Sequence, residues 1–111
     1  MKIPKSFKLA GQTIRVQFES KIRGSKRDNG SEVEVIGLAE YDANRIRLQK
    51  TAGGKIMPQD KIEQAFMHEL IHHLLSVMGE NKLSGNEKFV DTFASLLHQA
   101  LTTMEYETKK K

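Results

Sequence analysis

Three of the chain's four histidines fall within one short stretch, Met67-His68-Glu69-Leu70-Ile71-His72-His73-Leu74. His68 and His72 are four apart, and Glu69 directly follows the first of them. On an α-helix, residues four apart stand one above the other on the same face. Two imidazoles so placed can converge on one ion. Zinc suits two neutral imidazole nitrogens plus an oxygen ligand, arranged tetrahedrally with one position left for water. Glu69 is turned about 100° around the axis from His68, so it can reach that water without ligating the ion. The spacing is HExxH, whose mechanics are two ligands and a general base. A solvated polar helix face is the plainer alternative. The apolar neighbours Leu70, Ile71, Leu74 and Leu75 argue against it, because a polar group buried among them needs a partner.

A third ligand would complete the set, and His73, Glu87, Asp91 and His98 are the candidates. His73 is one step around the helix from His72 and leaves the His68–His72 stripe, so it reads as a surface or partly buried histidine. The segment 86–98 reads NEKFVDTFASLLH. Glu87 lies in the first turn of a helix there, and Asp91 shares its face. His98 lies roughly 16 Å further along the helix, so Glu87 and His98 cannot both touch one ion. A second helix folded back beside the first makes Glu87 the natural third ligand. Asp91 is then able to accept a hydrogen bond from the far nitrogen of a ligating histidine. Without the upstream motif, Glu87 would read as a charge complementing the helix dipole.

The elements that must position these residues are legible in outline. Ser6–Leu9 and residues 13–19 alternate around Ala10-Gly11-Gln12 as two strands of a hairpin, with Ile14, Val16 and Phe18 on one face. Residues 20–32, SKIRGSKRDNGSE, have the chemistry of a mobile basic loop. Strand character returns over residues 33–40, and a turn at Tyr41-Asp42-Ala43-Asn44 leads into Arg45–Gln49. Residues 51–58 break the pattern. Helical periodicity then runs from Asp60, suited to an N-cap role, to Gly79, suited to a C-cap. Ser84 or Asn86 caps a second helix reaching about Met104. Strands followed by two helices predict an α+β domain, a small, mostly antiparallel twisted sheet of about three or four strands packed against the helix pair.

Composition narrows the classes. The 111 residues fit a single domain, and the apolar and charged fractions of 38% and 29% are those of a globular protein. The chain has no cysteine, which excludes disulfides and thiolate metal sites. No apolar run is long enough for a signal peptide or a membrane span, so a cytoplasmic protein is the expectation. The net charge is +4, with basic clusters at residues 21–27 and 109–111. Those clusters read as solvated loop and tail (about 106–111). Without interleaved aromatic residues they do not predict nucleic-acid binding.

Taken together, His68-Glu69-Leu70-Ile71-His72 and Asn86-Glu87-x-x-x-Asp91 resemble the gluzincin metallopeptidases. The run Glu87-x-x-Val90-Asp91-x-Phe93-Ala94 is similar to the ImmA/IrrE-type metallopeptidases of bacteria and mobile elements, with Val90 where that pattern prefers alanine. The resemblance covers residues 66–98. It implies His68, His72 and Glu87 as zinc ligands, Glu69 as catalytic base and Asp91 as a support behind a ligand. It also implies a minimal zincin core and an origin among small phage- or prophage-encoded proteins. The expected activity is zinc-dependent peptide-bond hydrolysis of a protein or peptide substrate. The rival expectation is a zinc-binding interaction protein of the same fold without significant proteolysis. Tyr41 and His98 are both candidates for stabilising the oxyanion, and residues 33–41 are the candidate edge for pairing with an extended substrate.

Overall fold

Ala10 and Gly11 take positive φ of 50° and 79°, which closes a two-residue hairpin whose twist matches its strands. Gly11 meets that demand without the penalty a Cβ would bring. In the computed structural model, which describes residues 1–20, 22–26, 32–34 and 36–107, the hairpin joins β1 (Ser6–Leu9) to β2 (Gln12–Glu19). The following strands are β3 (Arg23–Lys26), β4 (Glu32–Glu34), β5 (Gly37–Glu40) and β6 (Arg45–Gln49). A small hairpin of β7 (Thr51–Ala52) and β8 (Lys55–Ile56) precedes three helices, α1 (Gln59–Met78), α2 (Asn81–Ser84) and α3 (Glu87–Thr103). The class is α+β, as the order of strands and helices predicts.

The main sheet has the order β1-β2-β6-β5. Its outer pairs are antiparallel and its central pair, β2 with β6, is parallel. The sheet is therefore mixed, and β5 forms one of its edges. Ile14, Ile46 and Leu48 project from the sheet into a core completed by Phe66, Met67, Ile71 and Leu75 of α1 and Val90 and Ala94 of α3. Away from the core, Arg47 makes a bidentate ion pair with Glu19 (2.6 and 2.7 Å), and Arg45 pairs with Glu40 at 2.5 Å. These pairs cross-link β2, β6 and β5. No helix among the described residues is long and apolar enough to cross a membrane.

Several expectations need correcting. Part of the expected loop over 20–32 is strand, with β3 paired to β4; residues 21 and 27–31 lie outside the described residues. The expected strand over 33–40 is divided between β4 and β5, which belong to different sheets. Residues 51–58 contain a hairpin turning at Gly53 and Gly54. Asp60 does not cap α1: the N-cap position is Pro58, whose carbonyl accepts from Lys61 and Ile62. Asn86 does cap α3, its side chain accepting from the Phe89 N–H at 3.1 Å. Gly79 ends α1 in the left-handed region, and Glu80 N–H bonds back to Leu75. Residues 108–111 of the expected tail lie outside the described residues.

Ile46 has no exposed surface and sits on the central β6, where its neighbours are held by ladders on both sides. Truncation there leaves a cavity the sheet cannot close. We expect Ile46→Ala to cost about 2–5 kcal/mol. Urea unfolding should show a lower midpoint with an unchanged m-value.

Candidate metal centre

Helix α1 carries His68, Glu69 and His72 at its middle, and the one-turn α2 reverses the chain so that α3 returns alongside. That reversal brings Glu87, the first residue of α3, over the two histidines. His68 Nε2 and His72 Nε2 lie 3.1 Å apart. Glu87 Oε2 is 3.2 Å from His68 Nε2, and Oε1 is 3.4 Å from His72 Nε2. Among the described residues these three form the group able to hold a metal ion. A tetrahedral zinc with bonds of about 2.0–2.2 Å holds its ligand atoms roughly 3.3–3.5 Å apart. The observed separations match that scale.

The far side of each ring fixes which nitrogen faces the group. Asp91 Oδ1 lies 2.7 Å from His68 Nδ1. An ionised carboxylate only accepts, so His68 Nδ1 carries a hydrogen, and in the neutral ring Nε2 keeps its lone pair. His72 Nδ1 is 2.9 Å from Ser84 Oγ. With Nδ1 as donor to that hydroxyl, His72 Nε2 also presents a lone pair. Two imidazole lone pairs and a carboxylate then face one another at about van der Waals distance or less. Such a convergence is repulsive unless a cation or proton lies within it, and the donor set of two neutral imidazoles and a carboxylate fits zinc. Burial, then the neighbouring His68, hold the His72 pKa below its ordinary value, with Glu87 and Asp91 opposing. The neutral form is the one that ligates.

Glu69 faces a different surface. It is 9% exposed and lies against β5, where the Ala39 backbone N–H donates to its carboxylate. Burial pushes its carboxyl up to about 7; Glu87 and Asp91 act in the same direction, against His68 and the Ala39 bond. A cleft of about 480 Å³ opens beside it, with Ile36 and Gly37 on one wall, Gln64 and Ala65 on the floor and Ala94 and Ser95 opposite.

The other sequence candidates separate cleanly. His73 is 2% exposed; its Nε2 lies 3.0 Å from the Arg45 carbonyl and its ring packs edge-on against Tyr41. It is a core residue joining α1 to β6 rather than a surface or partly buried one. His98 is held 2.8 Å from Glu63 Oε1 in a buried pair between α3 and α1, outside the ligand group. The hydroxyl of Tyr41 lies 3.5 Å from Ser84 Oγ. Ser84, a capping candidate by sequence, stands instead behind His72. Its role behind His72 depends on the one-turn α2, which a six-residue connection does not announce. No protein-family model, no curated protein and no solved structure matches the chain.

Two outcomes follow from this geometry. Asp91→Ala and Ser84→Ala each leave the three ligands in place but free a ring to rotate. If the group holds zinc, each should weaken that binding by about 10–100-fold in a competition titration with a chelating dye. Glu69 gives a pH signature in the metal-free protein. Its folded pKa is above its unfolded value, so the folded state holds the extra proton and stability falls as pH rises from about 4.5 through about 7. Relative to Glu69→Gln, wild type should lose on the order of 3 kcal/mol over that window. His72 alone would give the opposite slope, which is why the comparison is made between these two proteins.

Proposed function

We propose that the chain is a zinc-dependent metallopeptidase of gluzincin type, a hydrolase acting on a protein or peptide substrate. The observation that carries the proposal is the convergence of His68 Nε2, His72 Nε2 and a Glu87 oxygen at 3.1–3.4 Å, with a buried carboxylate at the next position on the helix. Zinc bound there would acidify a water and polarise the carbonyl of the scissile bond. The chain's own residues account for the rest. His68, His72 and Glu87 hold the ion, while Asp91 and Ser84 keep both rings in the ligating orientation. Glu69 takes a proton from the attacking water and delivers it to the departing amine nitrogen as the carbon–nitrogen bond breaks. The β5 edge beside the cleft offers backbone groups to an extended peptide. A cytoplasmic setting belongs to the same proposal and rests on the cysteine-free sequence.

The test is zinc content followed by cleavage of a peptide library. Purified wild type should carry one zinc per chain. Glu87→Ala should lose most of it. Glu69→Gln should keep its zinc and lose cleavage by about 100-fold or more. A wild-type protein with little zinc, or a Glu87→Ala protein that binds it undiminished, would refute the ligand set. Zinc-loaded wild type no more active than Glu69→Gln would refute the peptidase and leave a zinc-binding interaction domain.

A further inference from the structure

We infer that Gly37 is the positioning residue for Glu69: the bare backbone of β5 at this point is what lets the carboxylate lie against the strand at the head of the cleft. A Cβ placed on Gly37 would stand 3.0 Å from Glu69 Oε2, 3.2 Å from Cγ and 3.5 Å from Cδ. The first two are closer than side chains normally pack. Nothing in the backbone calls for glycine here. The described glycines with positive φ are Gly11, Gly53, Gly54 and Gly79, and Gly37 lies within a regular ladder opposite Leu48. Inside a strand, glycine is a liability, adding backbone freedom to the unfolded chain and contributing no side chain to packing. The contact with Glu69 is what the position gains in exchange.

The backbone of Glu69 cannot retreat. Its helix is fixed by Phe66, Ile71 and Leu75 in the core. The carboxylate is held by the Ala39 N–H on the same strand. A methyl group at Gly37 would press the carboxylate a few tenths of an ångström off β5, toward the cleft and away from that donor. The atoms nearest the added Cβ are all of Glu69, and none belongs to His68, His72 or Glu87. The steric contact stands on geometry alone; its catalytic consequence rests on the reading of Glu69 as proton carrier.

The experiment compares wild type, Gly37→Ala, Glu69→Ala and the double variant by thermal unfolding of the metal-free chains. Gly37→Ala should lower Tm by roughly 4 °C or more in wild type. In the Glu69→Ala background the same change should leave Tm unchanged or raise it, since alanine restricts the unfolded strand. Equal losses in both backgrounds would overturn the inference. Should Gly37→Ala fail to fold, a folded double variant supports the contact and an unfolded one overturns it. With zinc loaded, Gly37→Ala should retain its metal and lose kcat by about tenfold or more, with KM within about twofold of wild type. An unchanged kcat would overturn the positioning role. If wild type itself cleaves nothing, the peptidase reading fails separately, and the unfolding comparison alone judges Gly37.

Discussion

Helix α1 is buried on nearly every side and still carries four buried titratable side chains, Glu63, Glu69, His72 and His73. Each would cost free energy if left unpartnered. Each finds its partner on a different part of the fold. Glu63 meets His98 on α3, Glu69 meets β5, His72 meets Ser84 on α2, and His73 meets the Arg45 carbonyl at the start of β6. No buried side-chain nitrogen or oxygen among the described residues is left without a hydrogen bond. Apolar packing alone would tolerate small rotations of α1. Four directional contacts to four elements do not, and they aim His68 and His72 at Glu87.

Two glutamates on this one helix show how placement separates chemistry. Glu63 and Glu69 are both largely buried. The His98 imidazole holds Glu63 below the usual carboxylate range, while burial pushes Glu69 up to about 7. A carboxylate with a fixed cationic or donor partner serves as a structural anchor. One with a single backbone donor and a cleft beside it is free to gain and lose a proton. The same residue type, less than two turns away, is given an opposite shift in proton affinity by its surroundings.

The parts of this arrangement that were legible in sequence are those set by helical periodicity. His68, Glu69 and His72 share α1, and Glu87 and Asp91 share α3, so placement within each helix follows from 3.6 residues per turn. The Ala10-Gly11 hairpin and the Gly79 and Asn86 caps were legible for a similar reason, since local backbone conformation demands those residue types. What was not legible depends on contacts between distant segments. His73 looked peripheral because periodicity places it off the ligand stripe, but not what packs on the other side. Gly37 carries no pattern of its own. The division of residues 33–40 between two sheets reflects pairing partners, which no alternation within the segment encodes.

The candidate metal group, with Asp91 behind it, is itself divided between interior and surface. His72 is almost fully buried, whereas the side chains of Glu87 and Asp91 are 63% and 68% exposed. The two acidic residues contribute little to holding α3 in the core, a task left to Val90, Ala94 and His98. An ion shared by His68, His72 and Glu87 would thus tie the exposed N-terminal turn of α3 to the buried middle of α1. That junction is otherwise made by the short α2, the Asn86 cap, the His68–Asp91 contact and the buried Val90. Metal affinity and the docking of α3 become one linked quantity, because whatever binds only the assembled triad stabilises the assembly. The buried half fixes the geometry in advance, and the exposed half would keep a bound ion accessible to solvent.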